Sequence, residues 1–341
     1  MSKKIAISGY YGFDNFGDEG ILGILVKNLK DSGVADEITI FSHNPQITSK
    51  RYDVKSIKTF SFFKIIDALR STDILISGGG SLLQDATSLK SLFYYLWVIL
   101  LALYYKKKVI IFAQGIGPIN NPLARLITKM ILKHCSYISV RDEKSLFLLR
   151  GWGISPYLVN DPMWNIELTP NFPSNRVGIQ LRKWKTLTEE FLLALAKAVS
   201  NSYSDKQINI YSFQDSQDYD VCKRFEGYLK LNNPSIKTTI LHTRSNREII
   251  ESFKYLNVVI AMRYHACLLA LKYGIKTLPL SYDEKVEKLA GEISIPFVKL
   301  NEKDKIQQYI EKLDEIDIKE LQNKVKEMEF DFNTMFNVIN S

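Results

Sequence analysis

The segment Met262-Arg263-Tyr264-His265 sets an arginine and a histidine between an apolar β-rich run and a helical one. An imidazole there can trade protons with a substrate near neutral pH. Tyr282-Asp283-Glu284-Lys285 follows the next β-rich run. If those runs are neighbouring strands, Arg263, His265 and Lys285 converge on one patch suited to a small dianion or trianion. Gln180-Leu181-Arg182-Lys183-Trp184, after an earlier run, adds cations. The plain alternatives are a structural histidine at 265 and a charged surface loop around Lys285.

The first half carries three glycine-rich turns. Gly9-Tyr10-Tyr11-Gly12-Phe13-Asp14-Asn15-Phe16-Gly17-Asp18 holds Asp14, Asn15 and Asp18, more polar groups than a bare connection requires. Asp18 or Glu19 is expected to open the following helix, and as an N-cap Asp18 would need no other role. Ser77-Gly78-Gly79-Gly80-Ser81 exposes backbone N–H groups to an anion, and Ala113-Gln114-Gly115 repeats the design, making Gly79, Gly80 and Gln114 candidates for substrate contact. There is no GxGxxG and no Walker lysine, so neither a dinucleotide site nor an ATPase is indicated. Arg141 stands just past a strand, where a guanidinium can clamp carboxylate or phosphate, or else pair with Asp142 or Glu143.

These positions need elements that hold them at strand ends. Short β-branched runs alternate with helical patterns throughout, the signature of parallel sheets covered by helices. The expected strands are 4–8, 37–41, 73–77, 109–113, 137–140 and 157–159, then 176–181, 207–212, 238–241, 258–261 and 276–280. The first helix is expected over 19–32, and charged helices over 303–313 and 318–328. The run Asn165 to Asn175, rich in proline and asparagine, marks a linker at about 164–175. Two α/β units follow, residues 1–165 and 174–341, read as Rossmann-like doubly wound domains facing a cleft, a GT-B-like layout.

The chain has 341 residues, 46% of them hydrophobic and 24% charged, which excludes disordered, collagenous and coiled-coil classes. Its three cysteines fit a reducing cytoplasm, and no metal-ligand spacing is visible. The net charge is +8, of which residues 1–170 carry +6, pointing to an acidic partner on that side. No nucleic-acid motif accompanies it. The longest apolar stretch, from Leu92 to Tyr105, ends in Lys106-Lys107-Lys108 and is too short to span a bilayer. It reads as a buried crossover helix or as one resting on the inner membrane surface over Leu92 to Lys108.

Together GYYGFDNFGDEGIL, SGGGSLLQDATS, AQGIGPI, SVRD, NDPMW, QLRKW, RYHACLLALKYG and YDEKV, in that order, resemble the polysaccharide pyruvyl transferase family. The likeness is to its CsaB-like branch, which pyruvylates secondary cell-wall polymers. Glu284 departs from the pattern, standing where proline is expected. The resemblance implies a GT-B-like fold and transfer of pyruvate from phosphoenolpyruvate to a sugar as a 4,6-ketal. It further implies an acceptor of N-acetylmannosamine in a disaccharide on undecaprenyl pyrophosphate, with no cofactor beyond phosphoenolpyruvate as co-substrate. Arg141, His265 and Lys285 fall on family positions that hold phosphoenolpyruvate or assist proton transfer. Arg263 and Arg182 join them from the strand-end argument, and Asp18 or Asp14 is the expected hydroxyl-side base or acceptor contact. The competing readings are a nucleotide-sugar glycosyltransferase and a non-catalytic protein that binds anionic glycans or lipids.

Overall fold

Every expected β-branched run forms a parallel strand in the computed structural model, which describes residues 3–242 and 245–341. The first unit contains β1 (Lys3–Ser8), β2 (Ala35–Ser42), β3 (Lys55–Lys58), β4 (Ile74–Ser77), β5 (Lys108–Gln114), β6 (Tyr137–Val140) and β7 (Tyr157–Leu158). Their order in the sheet is β3-β2-β1-β4-β5-β6-β7. The second contains β8 (Arg176–Gln180), β9 (Gln207–Tyr211), β10 (Lys237–Leu241), β11 (Val258–Ala261), β12 (Lys276–Ser281) and β13 (Val298–Lys299), ordered β10-β9-β8-β11-β12-β13. All the pairings are parallel, so each unit repeats one doubly wound design.

Two strands escaped the sequence reading for physical reasons. β3 (KSIK) is a short edge strand whose flanking lysines discourage pairing with another chain, so it lacks an apolar signature. β13 has two residues, too few for a period. The central strands read as continuous apolar runs because both faces are covered; Ile5, Ala6 and Ile7 are all fully buried.

The unit boundary differs from the expected linker. The first unit comprises residues 1–166 and 329–341, the second 167–328. Asp161 caps a 3-10 turn, Pro162–Asn165, which buries Trp164 completely, so the chain is still in the first core where composition suggested a linker. The last thirteen residues were expected in the second domain and belong to the first. There Asn165 exchanges two hydrogen bonds with the backbone of Phe330, at 2.9 and 2.7 Å, and Phe330 and Phe332 pack on Phe112. The expected helix over 303–313 is broken: Ile306–Glu311 is α-helical and is flanked by 3-10 turns.

The apolar stretch forms the crossover helix Leu89–Tyr104 between β4 and β5. It buries Leu92, Leu96, Val98 and Ile99 on the sheet and leaves Leu100 and Tyr104 exposed. Among the described residues no helix is long and apolar enough to cross a membrane.

Candidate active site

In a doubly wound sheet the loops leaving the strands on either side of the order reversal diverge, opening a crevice at the carboxyl ends. That reversal lies between β1 and β4 in the first unit and between β8 and β11 in the second. Most of the candidate residues stand on the loops leaving these strands.

In the first unit the β1 loop folds around Tyr11, which is fully buried. A Cβ on Gly9 would lie 2.4 Å from the Tyr11 ring, and one on Gly78 would lie 1.8 Å from its hydroxyl. These glycines therefore admit an aromatic ring into the backbone crossing. Gly12 has φ +78 and donates its N–H to Glu19 at 2.7 Å; the buried Glu19 also receives Arg51 at 3.0 Å and the Tyr52 hydroxyl at 2.8 Å. Burial first, then the Glu19 carboxylate, pushes the Tyr52 hydroxyl well above its ordinary range.

The helix starts at Phe16, three residues before the expected position, because Asn15 caps it, its side chain accepting from the Gly17 N–H at 3.2 Å. Asn15 is thus a cap in this structure. Asp18 is not the cap: it sits in the first turn over Gly80, whose φ is +101 and where a Cβ would come within 2.6 Å of Asp18 Oδ1. Asp18 is also close enough to add to burial in raising the Tyr11 and Tyr95 hydroxyl pKa values. Asp14, at φ +52, is exposed and pairs with Arg51 at 3.5 Å. Gly79 packs on Ile21, whose Cγ2 would be 2.7 Å from an added Cβ.

Gln114 has a structural part as well as the expected one. Its side chain is fully buried and its amide nitrogen donates to Ser77 Oγ and the Gly78 carbonyl, both at 2.8 Å, so that end braces the glycine turn, while the buried amide oxygen has no hydrogen-bond partner. Arg141 is largely buried; it meets the buried Asp161 at 2.5 Å and Ser81 Oγ at 3.5 Å. Asp142 instead caps its own helix, accepting from Ser145 N–H at 2.8 Å.

In the second unit Arg263 is anchored rather than presented. Its Nε and Nη2 reach the fully buried Asp218 at 2.8 and 2.7 Å, and its backbone N–H donates to Gln180 at 2.8 Å. Because Arg263 is the N-cap residue of the helix Tyr264–Lys272, this anchor fixes where the helix begins and puts His265, half-buried, in its first turn. Lys285 occupies the same place in the helix Glu284–Ile293 after β12, with Asp283 accepting the Lys285 N–H at 2.8 Å. Glu284 fills the first helical position, where proline is favoured and an acidic side chain suits the helix dipole, so the departure from the family pattern leaves the helix start intact.

Arg182 lies between two rings, 4.9 Å from the Trp184 centroid and 5.2 Å from that of Tyr282, and donates to the Tyr282 hydroxyl at 3.2 Å. Burial raises the Tyr282 hydroxyl pKa, and Arg182 opposes that rise. β8, β11 and β12 are consecutive in the sheet. Arg182, His265 and Lys285 therefore leave adjacent strand ends, and the last two stand in the first turns of helices, whose dipoles favour an anion.

The sequence model of the polysaccharide pyruvyl transferase family matches residues 15–284. The chain belongs to that family. No curated protein is significantly similar to it in sequence. Its fold resembles that of UDP-GlcNAc 2-epimerase from Methanocaldococcus jannaschii, with TM-score 0.65, 12% identity, and 96% of this chain and 99% of that one covered. A glycosyltransferase from Rickettsia africae ESF-5 gives TM-score 0.61 and 16% identity over 98% and 96% of the two chains. An alpha-glucosyltransferase in complex with UDP and DNA gives 0.63 and 12%, with both chains covered completely. These likenesses show the fold, a two-domain Rossmann-like arrangement of the GT-B type.

For this pyruvyl transferase family member, sequence reasoning missed the residues that position the candidates. Asp161 holds Arg141, and NDPMW gave a signal for it. Trp184 and Tyr282 hold Arg182, each inside a quoted motif. Asp218, which holds Arg263, lies in a polar helix and gave no signal.

Proposed function

We propose that this transferase moves pyruvate from phosphoenolpyruvate onto a sugar of a lipid-pyrophosphate-linked disaccharide, forming a 4,6-ketal in the manner of the CsaB-like branch. N-acetylmannosamine is the proposed acceptor sugar, and modification of a secondary cell-wall polymer, of the kind that anchors surface-layer proteins, the proposed outcome. The observation that supports this reading is that Arg182, His265 and Lys285 follow three consecutive strands of the second unit's sheet. Phosphoenolpyruvate carries a carboxylate and a phosphate, and cations at helix N-termini suit both.

In the proposed reaction His265 protonates C3 of the enol, and C2 takes on oxocarbenium character. One sugar hydroxyl adds to C2, the C2–O bond to phosphate breaks, and the second hydroxyl closes the ketal. The two hydroxyl protons balance the one gained by C3 and the one carried off with phosphate. Lys285 and Arg182 orient the donor, and Arg263 is a positioning residue that sets the His265 helix. On the acceptor side Asp18, beside Gly80, is the stronger base candidate; Asp14 is more exposed. Arg141, steadied by Asp161, is assigned to the anionic end of either substrate.

The test is phosphate release from phosphoenolpyruvate with a synthetic lipid-pyrophosphate N-acetylmannosaminyl-N-acetylglucosamine, wild type against His265→Gln, with product mass. Acceptor-dependent release, a product heavier by one ketal-linked pyruvate, and a loss of about 100-fold or more in the variant are expected. Turnover of a nucleotide sugar in place of phosphoenolpyruvate would overturn the reading in favour of glycosyl transfer.

A further inference from the structure

The helices Phe62–Ser71, Leu89–Tyr104 and Pro122–Leu132 lie side by side in the first unit. Their inner faces build that unit's core, and their outer faces are unusually apolar. Among the described residues, ten of the eighteen exposed large apolar side chains fall within residues 60–130. They include Phe63 at 84% exposure, Leu100, Tyr104, Leu123, Leu126 and Met130. Phe62 meets Trp97 edge-on at 5.0 Å, which joins the first helix to the second across the surface. Exposed apolar surface on this scale marks an interaction site.

The charge of the same surface selects the partner. The helices Leu89–Tyr104 and Pro122–Leu132 contain no Asp or Glu, while Lys90, Arg125 and Lys129 are distributed along them and Lys106 follows the first; the one acid of Phe62–Ser71, Asp67, is paired with Arg70 at 3.8 Å. A second copy of this chain docking face to face would set these cations against one another. An anionic bilayer offers the opposite charge together with a boundary in which Phe, Trp and Tyr rings are favoured. We infer that this three-helix face is a monotopic docking surface for anionic phospholipid, lying on the bilayer without crossing it. It extends the contact beyond the single apolar helix legible in the sequence.

The full chain is to be floated with vesicles of phosphatidylcholine alone and of phosphatidylcholine with about 30 mol% phosphatidylglycerol at low salt. Binding to the anionic vesicles is expected, at least about tenfold weaker on phosphatidylcholine and weakened by added salt. Phe63→Ser with Leu126→Ser, and separately Lys90→Glu with Lys129→Glu, are each expected to lower vesicle binding by about tenfold or more while melting as wild type does, because these side chains lie outside the core. Failure to float on anionic vesicles would overturn the inference. So would unchanged flotation of both variants, or a concentration-dependent dimer that these substitutions dissolve. Flotation needs no turnover, so its failure would leave the proposed reaction standing.

Discussion

Glycine at 78 and tyrosine at 11 illustrate how a glycine singled out at a strand end can be required by packing. The triple glycine suggests an anion cradle, but Gly78 lacks a Cβ because the Tyr11 hydroxyl occupies that space. Gly78→Ala is expected to cost about 1–3 kcal/mol through overpacking. The buried Tyr11 hydroxyl makes no hydrogen bond, so Tyr11→Phe alone should be near neutral. Removing the hydroxyl leaves the next atom 3.0 Å from the added methyl, so the double variant should recover part of the loss. Urea unfolding of the four proteins measures this, and simple additivity would refute the packing account. The candidate arginines teach a related lesson. Arg141 and Arg263 are each held by a buried aspartate far along the chain, Asp161 and Asp218, so a cation at a strand end is not by that fact a ligand contact.

At the scale of elements, loops leaving neighbouring strands are tied to one another. Asp85, from the turn after β4, accepts the N–H groups of Asn120 and Asn121 at 2.7 Å each, from the turn after β5. These bonds, that from Asn120 first, hold the Asp85 carboxyl below its ordinary range. A depressed folded-state pKa means the contribution is complete above the unfolded value near pH 4 and is lost as pH falls through the lower folded value. Asp85→Asn should therefore lower the melting temperature at neutral pH and flatten the acid limb of the melting profile. An acid limb as steep as that of wild type would show that the loop tie does not contribute to it. The helix starts obey the same local logic, with Asn15, Asp142 and Asp283 each accepting a backbone N–H within their first turns.

For the whole molecule, the two units have separate sheets and separate cores, and the chain returns to the first at residue 329. Calorimetry is expected to resolve two transitions. Asp218→Asn leaves the Arg263 charge buried without its counter-ion and should destabilise the second unit by about 3–5 kcal/mol. Phe112→Ala opens a cavity against Phe330 and Phe332 and should destabilise the first by a similar amount, about 3–5 kcal/mol. One transition shifted equally by both variants would mean that the units unfold as one.

The alternation of strand and helix, the doubly wound class, the two-unit organisation and the family are all legible in the order of residues along the chain. Those depend on local periodicity and on turn residues at strand ends, which need no partner to be seen. The sequence also put Arg182, His265 and Lys285 after three strands that prove consecutive in the sheet, because topology converts neighbouring strands into neighbouring loops. Tertiary structure alone decided which polar residues face inward. Gln114 was set behind the glycine turn and Asp218 beneath Arg263, because a buried polar group must find a partner and the partner is far away in sequence. The destination of residues 329–341 was decided in the same way, since the rings of Phe330 and Phe332 pack on Phe112, an apolar surface that no local pattern describes.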